Sequence, residues 1–221
     1  MGFFQTFLDE IQSSDKIYNN KLTSGIFRNY IIEKKGKNLQ TINLFKKSLT
    51  QTLKKHQRCL IDNSNYYVAN DISTNTYYIC FKNLLMLDID FKDNNTNKNL
   101  EELILDLENL CTNNRELLFE VYISNNGLHA FAINKEYNYK KDSSLQLMLD
   151  ANCDFYYIVY ASIRGWSVRL NKKEKEKINK PLYKNIKRIG YGKINPDLLN
   201  LVNLHIKLMT IFQNEKCCKI K

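Results

Sequence analysis

Three features of the sequence predict an α+β protein built around one mainly antiparallel sheet. The first 57 residues carry helical periodicity, with apolar side chains three and four positions apart. From residue 58 to residue 92 the pattern changes to short runs of β-branched and aromatic residues broken by Asn, Ser and Asp. Two further apolar runs then meet across an Asn-Gly pair, the signature of a hairpin, with amphipathic stretches before and after them.

Taken in order, FFQTFLDEI sets Phe3, Phe4, Phe7, Leu8 and Ile11 on one stripe. GIFRNYIIEKKGKN and TINLFKKSLTQTLKKH repeat that pattern around Gly36. The segment 1–57 therefore reads as a helical region packed on the core. CLID, YYVAN and TYYICF read as strands, and ISTN as a turn between two of them. LLMLDIDF is nearly continuous in apolar character, which predicts a central strand buried on both faces. NLEELILDLENLCTNN is an amphipathic helix with Leu100, Leu103, Ile104, Leu107 and Leu110 inward. LLFEVYIS and LHAFAIN form the hairpin around NNG. DSSLQLMLDA is a short helix capped by Asp142 or Ser143. DFYYIVYASIRG fits either strand or helix, and WSVRLN is a strand. The basic run 171–193, with its Pro and Gly, reads as a surface loop. PDLLNLVNLHIKLMTIF closes the chain as a helix with Pro196 in its first turn. The expected organisation is thus a helical region over 1–57, a core over 58–195, and a C-terminal helix and tail over 196–221.

Composition bounds the function. A hydrophobic fraction of 43% with 25% charged residues supports a packed core and excludes a disordered chain. The net charge of +10 favours a polyanionic partner, nucleic acid or nucleotides. Abundant Lys, Asn, Ile and Tyr also fit a coding sequence poor in G and C, a source of positive charge that needs no partner. No apolar run reaches the roughly 18 residues that a membrane span needs. The start lacks the basic region of a signal peptide, and Phe3 and Phe4 do not suit myristoylation at Gly2. The six cysteines form no C-x-x-C pair, which argues against zinc and for reduced thiols in an intracellular, reducing compartment.

Four places can carry chemistry. Asp88 and Asp90 stand at positions i and i+2 of an oily strand, so both carboxylates leave the same face. Two such anions are compensated most simply by a divalent cation, although a strand end in solvent would also hold them. His129 follows the turn Ser124-Asn125-Asn126-Gly127, where glycine lets backbone N–H groups approach a phosphate. Taken alone, a strand histidine is more often a satisfied core residue. Asp154 precedes an apolar aromatic run and reads in isolation as a helix N-cap. Arg169, on an apolar strand, suits either a carboxylate partner or a triphosphate.

In this order the motifs resemble those of the archaeo-eukaryotic primase superfamily, the primase-polymerase group. That family carries an hhhDhD strand, an s-x-H hairpin strand and an hD pair. Here they look like Leu-Met-Leu-Asp88-Ile-Asp90, Ser124-Asn-Asn-Gly127-Leu-His129 and Cys153-Asp154. Arg-Gly-Trp-Ser-Val-Arg169-Leu resembles a segment that carries a nucleotide-contacting arginine in small members from large DNA viruses. The likeness covers about residues 60–172, and two Asn stand where the family often has Gly. It implies an RRM-like core and a template-directed nucleotidyltransferase of replication or repair. Asp88, Asp90 and Asp154 would be catalytic and would bind two Mg²⁺ or Mn²⁺ ions. Ser124, Asn126, Gly127, His129 and Arg169 would hold the nucleotide, with Arg164 as a weaker candidate. Lys172, Lys173, Lys187 and Arg188 would contact the template, with other lysines of that run. The implied partners are single-stranded or primed DNA, nucleoside triphosphates and a separate replicative helicase. No membrane is implied, and a monomer is expected. A viral member would work at the replication site in the host cytoplasm or nucleus.

Three other readings compete. A nucleic-acid-binding accessory protein of the same fold would need the charge and the aromatics Tyr66, Tyr67, Tyr77 and Tyr78 but not the three acids. A rolling-circle-type nuclease needs paired histidines, and His56, His129 and His205 form no H-x-H. A cysteine protease finds no Cys-His-Asn setting.

Overall fold

A computed structural model describes residues 31–93, 96–124, 126–171 and 184–214. The chain divides into two compact units, Met1–Lys55 and His56–Lys221. In the first, residues 31–35 are helical and end at Gly36, whose φ of +77° is a conformation that glycine adopts without strain. The next helix, α1, spans Leu39–His56. Asn38 caps it, its Oδ1 accepting from the Thr41 N–H at 2.9 Å. Ile42, Phe45 and Leu49 are buried at helical spacing. The stripe expected at residues 3–11 lies outside the described residues.

The second unit carries the sheets, and the α+β class stands as expected. Strands β1 (Gln57–Asp62), β2 (Tyr66–Asp71) and β3 (Thr76–Phe81) form an antiparallel meander. Strand β4 covers Met86–Asp90. A two-residue ladder follows, β5 (Lys92–Asp93) with β6 (Thr96–Asn97). Helix α2 (Leu100–Asn113) begins with a capping box in which Asn99 and Glu102 satisfy each other's backbone N–H. It buries Leu103, Leu107 and Cys111. Strands β7 (Leu118–Ile123) and β8 (Gly127–Ala132) make the expected hairpin. Helices α3 (Asp142–Asp150) and α4 (Phe155–Arg164), strands β9 (Trp166–Arg169) and β10 (Lys184–Gly190), and helix α5 (Pro196–Asn214) complete the described chain.

Four sequence expectations are corrected. Among the described residues there are two four-stranded antiparallel sheets instead of one, with orders β1-β2-β3-β9 and β10-β7-β8-β4. β4 stands last in the second order, so it is not the central strand that its apolar run suggested. At Asp88 its free edge is bonded by residues 153 and 154, and Met86, Leu87 and Ile89 are buried. Part of the basic run expected as a loop is strand β10; a charged strand at a sheet edge has few apolar residues to announce it. The N-cap of α3 is Lys141, with no side-chain bond, in place of Asp142 or Ser143. The segment 155–164 that fitted strand or helix is helix α4. It ends at Gly165 (φ +87°), where a Cβ would stand 2.3 Å from the Phe81 carbonyl oxygen.

β4 and β7 run parallel with β8 between them, and α2 makes the crossover, a split β-α-β unit. On one face of this sheet Leu87, Ile89, Val121, Leu128 and Ala130 are apolar and buried, with Lys187 of β10 at its margin. The opposite face carries Asp88, His129, Tyr122 and Glu120. Phe81 of the first sheet meets Phe131 of the second edge-on at 6.4 Å, and His205 of α5 lies beside both rings. Among the described residues, no helix is long and apolar enough to cross a membrane.

Candidate active site

Strand pairing assembles the site. Asp88 lies directly opposite His129 across β4 and β8, so the two side chains share a face. His129 Nε2 stands 3.2 Å from Asp88 Oδ1. Asp90, two residues on, shares that face and lies opposite Gly127. Gly127 is fixed by close approach, because a Cβ there would stand 1.9 Å from the Ile89 carbonyl oxygen. The turn is pinned from both sides. The Ser124 N–H donates to the Gly127 carbonyl at 2.9 Å, and the Phe91 N–H to the Asn126 carbonyl at 2.7 Å. Ser124, Asn126 and Gly127 therefore sit beside the Asp90 end of β4, with two nearby N–H groups already engaged inside the turn.

Asp154 arrives from a distant part of the chain. Its N–H donates to the Asp88 carbonyl at 2.7 Å, and the Asp88 N–H donates to Cys153 Sγ at 3.1 Å. The Cys153-Asp154 pair thus satisfies the Asp88 backbone at the free edge of β4. Burial, with the Asp88 carboxylate close by, pushes the Cys153 thiol well above its usual range, so it stays neutral. Asp154 is also the N-cap of α4, its Oδ1 accepting from the Tyr157 N–H at 2.6 Å. The functional and the capping readings of Asp154 describe the same residue.

These three acids offer oxygen ligands only, the donor chemistry that Mg²⁺ and Mn²⁺ take. Adjoining backbone positions hold them together. As the side chains stand, Asp88 Oδ1 turns to His129 and Asp154 Oδ1 to the cap. Among the described residues, no group of three or more His, Cys, Asp or Glu side chains is drawn together tightly enough to hold an ion. The residues fit a divalent cation by donor type and by backbone placement, and a bound ion would have to draw the carboxylates inward.

The other predicted residues are dispersed. Arg169 stands at the exposed end of β9, on the first sheet, opposite Tyr78. Arg164, at the end of α4, lays its guanidinium over the Tyr78 ring at 4.4 Å and donates to Ser167 Oγ at 3.0 Å. The register puts Tyr78, Arg169, Cys80, Ser167 and Tyr67 on one face, so both arginines belong to a single aromatic patch. Burial there pushes the Tyr78 hydroxyl up to about 12 and the Cys80 thiol to about 11. Tyr77, on the other face, packs on Phe212 at 5.2 Å. Lys187 is ion-paired with Glu108 at 2.6 Å and Arg188 with Glu120 at 2.8 Å, so neither presents a bare cation to a template. Lys172 and Lys173 lie outside the described residues. A cleft of about 900 Å³ lined by Tyr137, Lys140 and Ser143, among others, contains none of the three acids.

Sequence reasoning missed Glu120, Tyr122 and Asn185. Register continues the Asp88–His129 row through Tyr122 to Asn185. The signal was present in LFEVYIS, where Glu120, Tyr122 and Ser124 alternate with apolar residues.

Comparison with protein-family models, with curated proteins and with solved structures yields no match.

Proposed function

We propose that this chain is a template-directed nucleotidyltransferase of the primase-polymerase type. The observation that carries the reading is the meeting of three motifs that are distant in sequence: Asp88 opposite His129, with Asp154 bonded to the Asp88 backbone. Asp88, Asp90 and Asp154 would hold divalent ions, which supply Lewis-acid activation of an attacking hydroxyl and neutralise a leaving pyrophosphate. Asp88 holds the His129 imidazole through Nε2, and a nucleotide phosphate beside the turn at Gly127 would have to take that nitrogen over from the carboxylate. The basic balance of the chain favours a nucleic-acid template.

Incubation with primed and unprimed single-stranded DNA, labelled nucleotides and Mg²⁺ or Mn²⁺ tests this. The expected result is metal-dependent product that disappears in the Asp88→Ala, Asp90→Ala double variant. The unprimed lane separates priming from extension. A second reading, an accessory binding protein without catalysis, draws on the capping role of Asp154. Absence of product in both lanes, with labelled DNA still shifted by the protein, would replace the first reading with the second.

A further inference from the structure

β10 has a register shift between Asn185 and Lys187. In a regular strand, residues 185 and 187 would share a face. The bulge breaks that rule: Asn185 pairs with Tyr122, Lys187 with Val121 and Arg188 with Glu120. Lys187 thus turns to α2, where it meets Glu108, while Asn185 and Arg188 both join the face that carries Asp88 and His129.

On that face they are tied together. Arg188 Nε meets Glu120 Oε2 at 2.8 Å, and the Asn185 amide donates to Glu120 Oε1 at 2.5 Å. The Glu120 side chain is 11% exposed and that of Arg188 is 41% exposed, so the cluster has a buried floor and an open rim. A buried carboxylate paired with one guanidinium is electrically neutral overall. It repels no ligand, gives no strong pull on a phosphate, and still offers donors and an acceptor side by side.

Resting on the nucleotidyltransferase reading, we propose that Asn185 and Arg188, held by Glu120, hydrogen-bond the base edge of a nucleotide whose phosphates lie at the His129–Asp88 end of the same sheet face. Two strand spacings separate Asn185 from His129, about 10 Å, a span that one nucleotide covers from phosphate to base. This reassigns Arg188 from the template backbone to the nucleotide.

The test is equilibrium binding, without template, of ATP, GTP, CTP, UTP and inorganic tripolyphosphate to the full chain and to its Asn185→Ala and Arg188→Lys variants. Asn185 is exposed on an edge strand, so its truncation leaves the core intact, and a thermal melt checks this. The wild type is expected to discriminate among the four nucleotides. Asn185→Ala is expected to weaken the preferred one about fivefold and to leave tripolyphosphate unchanged. Arg188→Lys is expected to narrow the discrimination in the same direction. Unchanged ratios among the four nucleotides in both variants, or an equal loss for tripolyphosphate, would overturn the proposal while leaving the enzymatic reading intact. A wild type that binds neither nucleotide nor tripolyphosphate would overturn both.

Discussion

At the scale of single residues, burial decides which groups can act. Asp88 and His129 keep part of their side chains in solvent, 29% and 16%, and so stay reachable by a substrate. His205 is the contrasting case. It is fully buried beside Phe81 and Phe131, and burial, with His129 nearby, holds its pKa down at about 3. The unfolded chain regains the ordinary value of 6.5 and so binds a proton that the folded chain refuses. Stability from His205 is therefore complete above about pH 6.5 and is lost as pH falls through the window down to about 3. Between pH 7.5 and 4.5 this amounts to about 3 kcal/mol at most. The thermal midpoint is expected to drop over that interval, and His205→Phe is expected to flatten the drop. Parallel curves for the two proteins would remove His205 as the cause. The residue scale is also where the sequence was most legible. Asp88, Asp90, Gly127 and His129 act through strand alternation and a turn, which are local properties. Arg169 was read as a phosphate contact, yet nothing local to WSVR says on which of two sheets it will stand.

At the scale of elements, α4 links chemistry to architecture. Its N-cap is Asp154, its N-terminal neighbour Cys153 covers the edge of β4, and its last residue, Arg164, lies over Tyr78 of the other sheet. One carboxylate thus serves the helix and, on our reading, the cation. The two roles separate by substitution. Asparagine caps a helix about as well as aspartate but loses the charge, whereas alanine loses both and costs about 1 kcal/mol. Asp154→Asn is expected to melt within a degree or two of the wild type and to lose primer extension. Asp154→Ala is expected to lose both activity and a few degrees of stability. Full activity in Asp154→Asn would leave the residue as a cap only. β10 shows the opposite balance of legibility. KNIKRIG has two isoleucines among charges, and its apolar face is supplied by pairing with β7, which no local window contains. Its bulge, and with it the placing of Asn185 and Arg188, is equally a product of that partner.

At the scale of the whole molecule, ion pairs fix where individual cations point while the net excess of +10 stands. Lys187 and Arg188 are matched by Glu108 and Glu120, and Lys82 by Asp62 at 2.8 Å. The class of the fold followed from the order of helical and strand patterns. The division into two sheets did not, because it depends on which strands pair, and β9 joins β3 across a long stretch of chain. That division leaves β4 at an edge, and the edge is what admits Asp154. The proposed chemistry rests on one property, a divalent-cation site formed by Asp88, Asp90 and Asp154. Titration of Mn²⁺ into the full chain, followed by its electron paramagnetic resonance signal in the presence of a nucleotide, tests it most directly. The wild type is expected to take up Mn²⁺, and the Asp88→Ala, Asp90→Ala variant to bind it at least about 100-fold more weakly while keeping its far-ultraviolet circular dichroism. Equal uptake by the two proteins, or none by the wild type, would contradict the account.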